Sequence, residues 1–209
     1  MERCLFAISF FIVFNFINVS AQNQSDLIRV NRSQYKVELD KDFFLIKNLT
    51  TKAVIRRTNK NFVGFKLGDF NRDGLTDIFV EWGGNMPERF SLFVFSKEDD
   101  KYIEIEKFSD YPAAIPLKGT RYYYSYFPAG CADNAWGSDL FYIGKKSAIK
   151  IGRIKGDGCG IDDKIVISKM DKEKAVEIET LPIETIQKFE NTKWSFIAQY
   201  WENNFRKFL

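Results

Sequence analysis

Histidine is absent from all 209 residues. That removes imidazole acid–base work, serine–histidine and cysteine–histidine nucleophiles, and most zinc sites. Carboxylates, tyrosines and lysines remain, so catalysis is disfavoured rather than excluded. A dominant charge is also missing. Lys and Arg number 31 against 28 Asp and Glu, a net of +3 spread evenly along the chain. With no RNA- or DNA-binding motif, that balance argues against a nucleic-acid partner. Past the N-terminus, no apolar run approaches the roughly 20 residues that span a bilayer.

The N-terminus has the one strongly apolar stretch. Arg3 precedes "LFAISFFIVF", and "NVSA" supplies small residues before a cut after Ala21. This is the pattern of a secretory signal peptide over residues 1–21, with export to the periplasm or beyond. Asn15 and Asn18 end the run too early for a membrane anchor. Of three cysteines, Cys4 falls inside the leader, which leaves Cys131 and Cys159. A pair in an exported chain predicts a disulfide, expected to stabilise by roughly 3–4 kcal/mol on the chain-entropy model.

Residues 22–34 are polar and read as a flexible lead-in. Residues 35–209 then read as one domain. Period-two segments separated by turn residues predict strands, from "YKVEL" and "FFLIK" through "DIFVEW" to "KIVISKM" and "AVEIETL". "RFSLFVF" is apolar on both faces, as a doubly covered strand is. After Pro182 the period changes. Trp194, Ile197, Ala198, Trp201, Phe205 and Phe208 recur at helical spacing, with Thr192 as the expected cap. The expected fold is mostly β: an antiparallel meander, sandwich or partial propeller-like domain. One amphipathic C-terminal helix at about 192–208 closes it.

Two segments carry candidate chemistry. In "GDFNRDGLTD", Asp69, Asn71, Asp73, Leu75 and Asp77 fall at alternate positions, and Gly74 permits a sharp turn. Calcium takes six to eight oxygens, and alternate side chains around a tight turn supply several from one short segment. An EF-hand is excluded: its twelfth position requires Glu and is here Val80, and strands rather than helices flank the loop. A hairpin whose Asp and Asn side chains make local turns is the other reading. The spacing D-x-N-x-D-G-x-x-D between strands resembles the calcium loop of FG-GAP and VCBS repeats. That resemblance implies calcium held by the side chains of Asp69, Asn71, Asp73 and Asp77 and the carbonyl of Leu75. One such repeat is present, and "KGDGCGIDD" at 155–163 does not match its spacing.

The second segment is "YYYSYFPAGCADNAWGSDLFYIG". Tyr122, Tyr124, Tyr126, Asp133, Asn134 and Trp136 form a candidate recognition surface, because rigid aromatics beside polar groups suit contact with a protein or glycan. A core strand followed by a disulfide-pinned loop is the competing reading. This stretch resembles exported bacterial proteins of unassigned function that share a "GCAD…W.SDLFYI" run and a glycine-flanked second cysteine. The resemblance also implies pairing of Cys131 with Cys159. A more distant resemblance is to periplasmic proteins with one calcium loop on a propeller-like fold, some of which inhibit cell-wall hydrolases. The functional expectation is an exported, non-enzymatic β domain that binds something in the cell envelope. Inhibition of a wall hydrolase is the alternative. A carboxylate hydrolase using Asp133 and Asp139 is a third.

Overall fold

The computed structural model describes residues 24–40, 42–58, 62–83, 88–160 and 163–209. The leader read over residues 1–21 lies outside them. The first sheet is a four-stranded antiparallel meander of β1 (Gln24–Val30), β2 (Ser33–Asp40), β3 (Phe43–Asn48) and β4 (Val54–Thr58). The second repeats that plan with β5 (Phe62–Gly68), β6 (Asp77–Trp82), β7 (Arg89–Ser96) and β8 (Lys101–Glu104). The third sheet holds β9 (Ile115–Pro116), β10 (Tyr122–Tyr124), β11 (Phe127–Gly130), β12 (Ala135–Ile143), β13 (Ala148–Asp157), β14 (Lys164–Asp171) and β15 (Lys174–Pro182). Its order is β15-β14-β13-β12-β10-β9, with β11 also paired to β12. Helix α1 (Thr192–Asn204) follows and ends in a 3-10 turn, Phe205–Phe208.

Alternation along the strands stacks these sheets in layers. In β6, Ile78 and Val80 join the core shared with the first sheet, while Phe79 points to the other side. In β7, Phe93 and Phe95 face the first sheet, and Leu92 and Val94 face the third. The second sheet is therefore covered on both faces, as the two-sided apolarity of "RFSLFVF" predicts. On β12, Phe141 faces that middle core, whereas Trp136 and Leu140 face α1. Helix α1 seals the outer face through Phe196, Ile197 and Trp201. The Trp201 indole N–H also donates to Ser138 Oγ at 2.8 Å, so its one polar atom is satisfied inside the core. Each such fully buried apolar side chain contributes roughly 1.5–3 kcal/mol. The result is mostly β, antiparallel, and open rather than closed into a barrel.

Three expectations are corrected. Residues 24–34 of the expected lead-in are not loose, because β1 pairs with β2 in unbroken register from Gln24↔Leu39 to Val30↔Ser33, and residues 22 and 23 lie outside the described residues. An edge strand needs few apolar residues. Ile28 and Val30 alone enter the core, and Leu27 stays 57% exposed. The Gln24 side chain completes the anchor by exchanging two 3.0 Å hydrogen bonds with the backbone of Phe65 in the second sheet. Thr192 is the first residue of α1 rather than its cap, and Asn191 before it makes no side-chain cap bond. Trp194 leaves the helix's buried stripe and is 44% exposed.

Glycines opposite large rings make the seven-stranded sheet possible. Gly156 pairs with Trp136 across β12 and β13, and a Cβ there would sit 2.2 Å from the indole. Gly137 pairs with Phe127 in the same way, again at 2.2 Å.

Candidate functional site

The loop between β5 and β6 carries the acidic motif. Gly74 adopts φ 83, which explains glycine at that position, and Arg72 adopts φ 62. The side chains turn inward onto the loop's own N–H groups. Asp69 Oδ1 and Oδ2 accept from the N–H groups of Asp73 and Gly74, both at 3.0 Å. Asp73 Oδ1 accepts from Leu75 N–H at 2.9 Å, and Asp73 Oδ2 from the Asn71 amide at 3.1 Å. Asp77 is completely buried at the start of β6 and accepts N–H bonds from Phe70, Asn71 and Phe95. Burial pushes its carboxyl up to about 7, against the opposing pull of those three bonds. Tyr102, from β8 of the same sheet, and Tyr123, from β10 of the third sheet, donate to the carbonyls of Thr76 and Phe70 and hold the loop in place.

Among the described residues, no three acidic, cysteine or histidine side chains are grouped to hold a metal ion. The loop is a hydrogen-bonded turn whose carboxylates already have donors. Each of these Asp69 and Asp73 oxygens accepts one hydrogen bond and keeps a further lone pair.

The tyrosine and cysteine segment divides into core and surface. Trp136 is 1% exposed and packs against Gly156, so it offers nothing to a partner, contrary to the expectation for it. Strand pairing forces this, because Trp136 lies on the α1 side of a central strand. Tyr122 and Tyr124 are half-buried on that same side. Tyr126 is buried, and its hydroxyl donates to Asp133. Asn134 is exposed, and its carbonyl accepts from Gly158 N–H at 3.1 Å.

Residues 128–134 form the outstanding surface feature. Pro128 to Ala132 are exposed without a break. Cys131, Ala132 and Asp133 take φ of 50, 48 and 71, three consecutive non-glycine residues in the left-handed region. Such a run costs on the order of 1–2 kcal/mol per residue and persists only where the surroundings hold it. Two clamps do so. Cys131 is disulfide-bonded to Cys159, with Cα atoms 6.2 Å apart. Asp133 binds the Lys193 ammonium, which also donates to the Asp133 carbonyl at 2.8 Å. Burial alone would raise the Asp133 carboxyl. The hydrogen bonds from Lys193 and Tyr126 outweigh it and hold the carboxyl below its ordinary range. Trp194 stands beside this clamp, its ring centroid 4.0 Å from that of Tyr126.

Lys193 and Trp194 escape a sequence reading because Trp194 fits the helical stripe that predicts core. Their closeness to Asp133 appears only once α1 docks on the sheet.

Asp133 and Asp139 do not form an acid–base pair in this structure. Asp139 is 3% exposed and is gripped by Arg153 at 2.6 and 2.7 Å, with Lys150 at 3.6 Å. Asp133 is held by Lys193 and Tyr126. Asp139 and Arg153 instead separate two clefts of about 520 and 340 Å³. Tyr111 lines the larger. It is stacked on Phe141, and burial raises its hydroxyl to about 12, so it is neutral at physiological pH.

No protein-family model matches the chain, and no curated protein matches it. Among solved structures, the fold is similar to that of a Xanthomonas type IV secretion system related protein. The TM-score is 0.51 with 16% identity, covering 78% of this chain and 97% of that one. At that identity the likeness is one of fold.

Proposed function

We propose that the chain acts outside the cytoplasm as a non-enzymatic binding domain, and that the doubly clamped loop at residues 128–134, with Trp194 beside it, is its contact surface. The loop carries this reading. A chain spends conformational energy on an exposed, rigid, left-handed turn where the turn's shape is used. A pre-ordered loop also avoids an ordering cost on binding, roughly 0.5–1.5 kcal/mol for each side chain immobilised. The disulfide fits an oxidising compartment, and the fold neighbour, a secretion-system related protein, fits the cell envelope. The test is affinity capture from an extracytoplasmic fraction. A protein or glycan retained by the wild type and lost from Cys131→Ser/Cys159→Ser supports the proposal. Equal retention by both, or none by either, counts against it.

Inhibition of a cell-wall hydrolase is the second reading. The rigid exposed loop favours it, because such a loop can fill a substrate cleft. Protection of cells from a lysozyme-like enzyme at micromolar protein is the expected result, and undiminished lysis would remove it.

We also propose that the 69–77 loop takes calcium as a structural pin. Its residue spacing and the buried Asp77 carboxylate support this. Millimolar calcium should raise the melting temperature, and Asp73→Ala should abolish the rise. An unchanged wild-type melting temperature would leave the loop as a self-bonded turn.

A further inference from the structure

The other end of α1 bears a second surface that the clamped loop does not use. Trp194 and Phe205 are eleven positions apart, roughly 16 Å along the helix axis. Tyr122 on β10 pairs directly with Tyr142 on β12, their ring centroids 6.1 Å apart. Phe205, just past α1, adds a third ring 5.7 Å from Tyr122. All three are partly exposed. Two arginines bracket them. Arg121 lies over both tyrosine rings, at 5.6 and 5.0 Å, and Arg206 lies over Phe205 at 5.6 Å. Both arginines are exposed, and among the described residues neither guanidinium has a carboxylate or carbonyl partner.

Within about 6 Å of a ring, each guanidinium keeps its charge beside the aromatic surface, and its exposed N–H groups remain open to solvent. Its fork matches a carboxylate oxygen for oxygen. Here two exposed arginines lie against one aromatic cluster. We propose that this patch binds an acidic carbohydrate chain, with the arginines taking sugar carboxylates and the rings taking the apolar C–H faces of the sugars. A peptide partner is less well suited. Peptide hot spots insert side chains into packed pockets, whereas these rings pack against one another. The clefts beside Asp139 and Arg153 do not include these rings.

The experiment is calorimetric titration of the full mature chain with oligogalacturonate at low ionic strength. Uncharged dextran and polyglutamate serve as comparison ligands. The wild type should bind oligogalacturonate at least about tenfold more tightly than either. Arg121→Gln/Arg206→Gln should weaken that binding about tenfold or more while leaving the melting temperature unchanged, since both side chains are exposed. Added salt should weaken it further. No binding by the wild type, equal binding of polyglutamate or dextran, or an unaffected double variant would each overturn the proposal. Partner capture by the clamped loop should be the same in this variant, so failure here is separable from failure there.

Discussion

Removing the Cys131–Cys159 bond should both destabilise the protein and unlock its exposed loop. The cysteines are 28 residues apart. The loop-closure model assigns such a bridge about 3.5 kcal/mol, acting on the unfolded chain. Some of that is offset, because the left-handed run at Cys131, Ala132 and Asp133 can relax once one clamp is gone. A net loss of about 2–3 kcal/mol follows. For a chain of this size that lowers the melting temperature by roughly 5–10 °C. The assay is urea and thermal denaturation of wild type and Cys131→Ser/Cys159→Ser, with amide exchange read at Ala132 to Asn134. The double variant should lose protection at Asn134, whose N–H is bonded within the loop at 3.0 Å, while β12 and β13 keep theirs. A loss under about 0.5 kcal/mol with unchanged loop exchange would show that Lys193 and Tyr126 hold the turn unaided. The disulfide would then not be needed for the turn.

Asp139→Ala should cost about 1–3 kcal/mol in urea denaturation, because it leaves the partly exposed Arg153 and Lys150 without their acid at the clefts. Gly156→Ala should cost roughly 1–3 kcal/mol, since its Cβ would meet the Trp136 indole at 2.2 Å; a quenched or shifted tryptophan emission should accompany it. The folded-state Asp133 carboxyl lies below its unfolded value of 3.8. The contribution of this group is therefore present above that value and lost as pH falls through the folded one. NMR titration should show a depressed midpoint that moves upward in Lys193→Met.

Strand periodicity was readable because each sheet has one or two buried faces: β2 and β3 write one buried face as alternation, and β7 writes two as an unbroken apolar run. The C-terminal helix was readable from its 3.6 period. β1 was hidden because an edge strand buries only Ile28 and Val30. The clamped loop was half legible. Cys131, Asp133 and Asn134 stand out in the sequence, but Lys193 lies 60 residues from Asp133 and is brought to it only by helix docking. Trp136 was misplaced among surface residues because an aromatic in a polar stretch looks exposed until strand pairing sets its face. The Asp139–Arg153 pair depends on the register of β12 with β13, which shifts by one residue between Leu140 and Phe141. No local pattern reports such a bulge.

The central claim is that the loop at 128–134 with Trp194 is the contact surface. Its most direct test is the dissociation constant of the captured partner for wild type and for Trp194→Ala. Trp194 is already 44% exposed, so truncation should leave the fold intact. A loss of affinity of about thirtyfold or more is expected, the scale of a tryptophan hot spot of about 2 kcal/mol or above. An unchanged dissociation constant in a folded variant would contradict it.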